Sequence, residues 1–181
     1  MPRSLIYDAV TLLNFAVIRR LDILEERHSY RPEPRWTEAV KGEIEQGALM
    51  GLPECHLILD ASWLGKPVEP NHDDLGRILP IWIGLNDGKS PPIDHAGEAE
   101  SIYFAERLEA AFATDDNEAH LFASRRPMVR HVIDTVDILR DSVAAHELPE
   151  VEASSVVASM RAAGRSLRRT HPPTIDGTYF R

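Results

Sequence analysis

Apolar positions along this chain switch between two spacings, short continuous runs and residues three or four apart, and the switching predicts strands interleaved with helices. Ser4-Leu5-Ile6-Tyr7 reads as a short strand that ends at Asp8. Val10, Leu13, Val17 and Leu21 follow helical spacing and predict one amphipathic helix. Pro32-Glu33-Pro34 breaks the chain, and Thr37 suits the N-cap of a helix through Val40 and Ile44 toward Gly47. Residues 56–59 read as a further strand, and residues 65–76, with Gly65, Pro67, Pro70, Asn71 and Gly76, as loop.

An apolar stretch over residues 75–85 runs into Asn86-Asp87-Gly88 and Pro91-Pro92, which predict another loop. Gly97 opens a helix with Ile102, Ala105, Leu108 and Phe112 on one face, while residues 111–114 also read as a buried strand ending at Asp115 and Asp116. Residues 117–124 form the next helix, 129–133 a strand, 136–143 a helix, and 152–167 a last helix with Val156, Met160, Ala163 and Leu167 in register. This order predicts an α/β domain, a three-layer α/β/α sandwich around a mainly parallel sheet. The domain spans residues 1–170. Residues 171–181, with Pro172-Pro173, are expected to lack regular structure.

A length of 181 residues and a 43% hydrophobic fraction suit one domain with its own core. No uninterrupted apolar run reaches the ~18 residues of a membrane span. Met1-Pro2-Arg3 leads straight into the first strand without a signal-like apolar segment, so a cytoplasmic protein is expected. The single Cys55 has no internal disulfide partner and reads as an idle thiol. A net charge of −9 argues against a polyanionic partner, but its distribution is uneven. Five arginines (161, 165, 168, 169 and 181) face one acid, Asp176, at the C-terminal end, and Arg125, Arg126 and Arg130 form a second basic knot. A solvated surface explains both groups equally well.

Acidic residues stand where these elements begin or end: Asp8, Glu43, Glu98 and Glu100, Asp115 and Asp116. In an open parallel sheet, ligands bind beyond the carboxyl ends of the strands, so Asp8 and the Asp115/Asp116 pair are expected to share a crevice. Like charges gathered there repel and raise one another's pKa unless a cation or shared proton intervenes. Hard carboxylate oxygens without a His or Cys ligand pattern suit Mg²⁺ or Mn²⁺. Competing structural readings stand beside this one. Glu98 and Glu100 at a helix start favour the macrodipole, Asp115 is a candidate N-cap, and Glu43 shares its helix with Glu38 and Glu45, as on a solvated face.

The series Ile-Tyr-Asp8, Glu-Ala-Val-Lys-Gly-Glu43-Ile, Gly97-Glu98-Ala-Glu100-Ser-Ile-Tyr-Phe-Ala and Ala-Thr-Asp115-Asp116-Asn-Glu-Ala resembles the PIN-domain ribonucleases, in particular the toxin-like branch whose third motif is Gly-Glu-Ala-Glu. The likeness covers most of the chain and extends to Arg-Ala-Ala-Gly164-Arg near its end. It implies Asp8, Glu43, Glu100 and Asp116 as the catalytic acids, with Glu98 and Asp115 as further metal ligands. It also implies Mg²⁺- or Mn²⁺-dependent cleavage of single-stranded RNA to 5′-phosphate and 3′-hydroxyl products. A homodimer is implied, as is a small antitoxin protein that covers an apolar groove, for which residues 12–24 and 78–85 are candidates. Where the family carries Ser or Thr two residues after its first Asp, this chain has Val10, followed by Thr11.

The remaining features carry less chemistry. The eight His residues show no His-Glu-x-x-His spacing, and His95, beside Gly97, reads as a loop residue near the proposed site. Trp36, Trp63 and Trp82 are candidates for stacking on bases, with core packing as the simpler role. Neither a Gly-x-Gly-x-x-Gly nor a Walker sequence is present, which disfavours nucleotide-dependent dehydrogenases and ATPases. A binding module without turnover is the alternative to a nuclease. An aspartyl-phosphate enzyme built on Asp8 would need a second Asp where Val10 stands.

Overall fold

Four short strands, β1 (Ser4–Tyr7), β2 (Glu33–Arg35), β3 (Ala111–Ala113) and β4 (His131–Ile133), pair in the order β2-β1-β3-β4, all parallel, in a computed structural model that describes residues 4–28, 33–88, 94–168 and 180. Nine helices pack against them among the described residues: α1 (Ala9–Val17), α2 (Asp22–His28), α3 (Glu38–Leu49), α4 (Pro53–Leu59), α5 (His72–Leu85), α6 (Ala96–Arg107), α7 (Asn117–Ser124), α8 (Thr135–Ala144) and α9 (Glu150–Ala162).

Strand residues alternate between the two faces, as the pleat requires. Leu5, Tyr7, Ala111 and Ala113 join one buried cluster with α1, α3, α4, α8 and α9, whereas Ile6 and Phe112 join another with α5, α6 and α7. Helices therefore cover both faces, and the architecture is the expected three-layer α/β/α sandwich. From β1 the chain moves outward to β2, and from β3 it moves the other way to β4. The direction of winding reverses between β1 and β3, and α1 and α7 depart from those two strands to opposite faces. Crevices at such reversals are where open α/β sheets bind ligands.

Several local expectations are corrected. The single helix expected from Val10 to Leu21 is interrupted, because Arg19 takes a left-handed conformation (φ 57°) and the Arg19 and Arg20 amides turn back onto Ala16 and Phe15. Leu21 preserves the apolar spacing because it packs on the same core from beyond the turn. Residues 56–59 are helical, not a strand: Pro53 sits in the first turn of α4, and Cys55 and Ile58, three apart, are its buried positions. The loop over residues 65–76 ends earlier, since Asn71 and Asp74 form a capping box that starts α5. Asp74 is held in turn by the Tyr103 hydroxyl (2.5 Å) and Arg107 (2.8 Å).

Phe112 belongs to β3, and Leu108 is exposed at the C-cap of α6. The break expected at Pro34 is the edge strand β2, where a residue without an N–H is tolerated. The last helix stops at Ala162, with Gly164 left-handed (φ 78°) and the Arg165 amide bonded to the Met160 carbonyl. Leu167 is still buried, but from irregular chain. Pro91-Pro92 and, apart from Phe180, the tail 171–181 lie outside the described residues.

The apolar stretches 12–24 and 78–85 turn mainly inward, with Leu12, Phe15, Leu24, Ile78, Ile81 and Leu85 buried. The tryptophans also serve packing. Trp36 is buried with its indole N–H on the Gly65 carbonyl, Trp63 stacks on His28, and Trp82 donates to the Asp94 carbonyl. Cys55 is buried against Gly47, where a Cβ would lie 2.7 Å from its sulfur. No described helix is long and apolar enough to cross a membrane.

Candidate functional site

Asp8 follows β1 directly, and its amide extends the β1–β3 ladder by donating to the Ala113 carbonyl at 3.1 Å. Its side chain caps α1: one carboxylate oxygen, Oδ1, accepts from the Thr11 amide at 2.7 Å. The other, Oδ2, is buried with no hydrogen-bond partner among the described residues. Burial dominates the electrostatics here. It pushes the carboxyl up to about 8, against the hydroxyl of Thr114 and the Thr11 amide, and the charge on Asp115 adds to the rise.

Asp115 lies beyond the end of β3 and is equally enclosed. Its Oδ2 accepts from the Thr135 hydroxyl (2.5 Å), the Asn14 amide nitrogen (3.0 Å) and the Thr11 hydroxyl (3.4 Å), and Oδ1 accepts from the Thr135 amide (3.4 Å). Burial still pushes it up to about 6, helped by the charge on Asp134 and opposed by the Thr135 and Asn14 donors. Asp134 stands beyond β4 as Asp8 stands beyond β1, fully buried, and caps α8 in a reciprocal box with Asp137. The carboxyl ends of β1, β3 and β4 thus each deliver an aspartate.

A second pair forms between α3 and α6. Glu43 Oε1 accepts from the Gly97 amide at 3.1 Å, so close that a Cβ on Gly97 would lie 2.3 Å from that oxygen. A side chain at this position would displace the Glu43 carboxylate from the Gly97 amide. Glu43 is pushed up to about 7, by desolvation first and then by Glu98, although the residue is exposed to water, which screens both effects. His95, at the left-handed N-cap of α6 (φ 66°), places its two ring nitrogens 3.5 Å from Glu98 and 3.6 Å from Glu118.

The two other candidates are engaged at helix N-termini. Glu100 is buried and accepts from the Ala39 amide at 3.1 Å, in the first turn of α3, with the Thr37 side chain and the Glu38 amide also favouring its charged form; burial nonetheless raises its pKa, and the Glu38 charge adds to the rise. Asp116 caps α7 by accepting from the Ala119 amide at 2.7 Å, and its own amide donates to the Thr114 hydroxyl. Glu98 and Glu100 diverge because residues two apart on a helix do not share a face. The structure therefore brings together Asp8 with Asp115 and Glu43 with Glu98.

Among the described residues, no three His, Cys, Asp or Glu side chains form a constellation able to hold a metal ion. The atom that fits a hard cation is Asp8 Oδ2, a buried oxygen acceptor that no described donor reaches in hydrogen-bond geometry, although the Thr114 hydroxyl lies close enough to favour its charge. The sequence reading passed over Asn14, Thr135 and Asp134, and gave Arg165 and Arg168 only as members of the basic C-terminal group. Asp134 had the same signal as Asp8, an acid directly after an apolar strand. Comparisons with models of protein families, with characterised proteins and with solved structures find no match.

Proposed function

We propose that this chain is a metal-dependent endoribonuclease of the PIN type that hydrolyses phosphodiester bonds in single-stranded RNA. The observation that carries the reading is the Asp8/Asp115 pair: two buried carboxyls at the reversal point of the sheet, both held above the ordinary carboxylate range, one with an orphaned oxygen. Two acids kept in such a place act against folding stability, and perturbed acids in a crevice mark chemistry.

Asp8 and Asp115 are the residues that would hold Mg²⁺ or Mn²⁺, with Glu43 and Glu98 as the second pair. When bound, such an ion offers positive charge to a phosphate and lowers the pKa of coordinated water. The chain's own residues do the rest. The Thr11 amide fixes the Asp8 carboxylate through Oδ1, leaving Oδ2 for the ligand. Asn14 and Thr135 hold Asp115 in one orientation. Glu43, with Oε1 engaged by Gly97 and a pKa of about 7, is matched to taking a proton from water at Oε2 near neutral pH. The wider setting, a toxin that pairs with a small antitoxin and acts as a homodimer, rests on the motif resemblance alone, and a cytoplasmic location rests on the N-terminal sequence.

A binding module of the same fold without turnover is the second reading, favoured by the engagement of Glu100 and Asp116 at helix N-termini. Incubation of the full chain with labelled single-stranded RNA and Mn²⁺ separates the two. The nuclease reading expects 5′-phosphorylated fragments from wild type and none from Asp8→Asn or Asp115→Asn, with both variants folded by circular dichroism. RNA binding by wild type without cleavage supports the module instead.

A further inference from the structure

The turn that ends α9 aims two arginines back across the sheet. Gly164 reverses the chain, Leu167 anchors the following residues in the core, and the flanking Arg165 and Arg168 reach the carboxylate site. Arg165 Nε donates to Asn14 Oδ1 at 2.8 Å, and its Nη2 lies 3.5 Å from the Val10 carbonyl. The same Asn14 donates to Asp115 from its other end. Arg168 Nε donates to Asn117 Oδ1 at 3.3 Å, and Nη1 lies 3.5 Å from Asp134 Oδ2.

These contacts differ from those of the arginines elsewhere. Arg126 grips Glu106 with two prongs at 2.7 and 2.8 Å, and Arg130 pairs with Glu109, so most of the knot expected around residues 125–130 is neutralised locally. Among the described residues, Arg165 instead touches neutral carbonyl oxygens, and Arg168, whose side chain is 10% exposed, makes a long ion pair of 3.5 Å with the fully buried Asp134. Among the described residues, neither guanidinium grips an acid with both prongs, so each keeps the geometry that suits a phosphate. The site beneath them is acidic and the whole chain carries −9, so an RNA backbone needs local cations to approach.

We propose that Arg165 and Arg168 form a phosphate-binding clamp on the rim of the carboxylate site and position the RNA backbone over it, an inference that rests on the nuclease reading. The clamp is a positioning device. Asn14 links it to Asp115, so the side chain that orients the acid also orients the cation.

The test is RNA binding in the full-length Asp8→Asn chain, where cleavage does not consume the probe, followed by fluorescence anisotropy of a labelled single-stranded oligoribonucleotide across a salt series. Replacing both arginines by glutamine is expected to weaken binding roughly tenfold and to flatten the log K against log salt plot by about 0.7 per arginine. Arg165→Lys is expected to keep the salt slope while losing affinity, because charge remains and the fork does not. Arg161→Gln, a matched charge removal on exposed α9 surface, serves as the comparison and is expected to change neither quantity. Thermal melts of every variant separate lost binding from lost folding.

Unchanged affinity and slope in the double glutamine variant overturn the clamp, as does an absence of RNA binding by the Asp8→Asn chain. Tighter binding in that variant also overturns it and identifies the segment as a plug over the site. Wild-type cleavage in Mn²⁺ is measured in parallel. A protein that binds RNA with the expected slope change but never cleaves leaves the clamp standing and removes the nuclease reading.

Discussion

Asp8→Asn is expected to stabilise the metal-free protein at neutral pH while abolishing cleavage, and the size of the effect follows from the burial of Asp8. Its carboxyl, ordinarily near 3.8, sits at about 8 in the fold. Between those values the folded chain holds a proton that the unfolded chain has released, so stability falls as pH rises from about 4 to about 8. At pH 7 this costs the wild type about 4 kcal/mol, an upper limit because water penetration and relaxation soften burial. Asparagine keeps the acceptor for the Thr11 amide and removes the titration, but places an amide nitrogen where Oδ2 had no partner. An unpartnered donor costs about 1–3 kcal/mol, which leaves a net gain of about 1–3 kcal/mol at pH 7 and a net loss of similar size near pH 4. Urea denaturation of both proteins in EDTA, at several pH values across that window, measures the difference directly. Other titrating groups largely cancel in it. A difference that stays flat from pH 4 to pH 8 would refute the claim that burial raises the Asp8 carboxyl, with the Thr11 amide on one oxygen and no hydrogen bond on the other. Added Mn²⁺ is expected to raise the stability of wild type and to leave the variant unchanged.

Other expectations follow from the remaining contacts. Mn²⁺ binding at pH 7 should release protons, because Asp8 and Glu43 are pushed up to about 8 and about 7 and must ionise to become ligands; calorimetry in two buffers of different ionisation enthalpy reads this, and zero release contradicts it. Gly97→Ala should cost under about 1 kcal/mol of stability and impair cleavage, since the new Cβ meets Glu43 Oε1 at 2.3 Å and the flexible carboxylate must swing off the Gly97 amide. Both effects should shrink in a Glu43→Ala background, as a double-mutant cycle would detect. Glu100→Ala should cost about 1–2 kcal/mol by exposing the first turn of α3 to an unmade cap, with metal affinity retained; a loss of metal binding without a loss of stability would return Glu100 to the ligand set.

Much of the layered architecture was legible in the chain because it follows from local pattern. Ser4–Tyr7 and Ala111–Ala113 are short runs flanked by helical spacing that a parallel sheet covered on both faces buries, and His131–Ile133 adds a half-covered edge strand to it. The cap at Thr37 needed only the residues beside it, whereas the cap expected at Asp115 falls one residue later, on Asp116, because Asp115 is drawn onto Asn14 and Thr135. Local pattern failed where one spacing served two shapes. The short run at residues 56–59 suits a strand or a helix equally, and Leu21 kept helical register across a turn that ended the helix.

The list of acids was likewise readable from sequence, but their roles were not. Glu98 and Glu100 differ by two positions, and only the packing of α6 beside α3 turns one toward Glu43 and the other onto an N-terminus. Asp115 and Asp116 are neighbours, and the approach of α1 and α8 decides that the first is enclosed by Asn14 and Thr135 while the second caps α7. The arginines that reach this site lie 151 positions from Asn14 in one case, beyond any local signal. Sequence alone determined which chemical groups the chain owns and where its elements begin. Tertiary structure decided which of those groups lose their water and which companions they meet, because desolvation and charge act through space and not along the backbone.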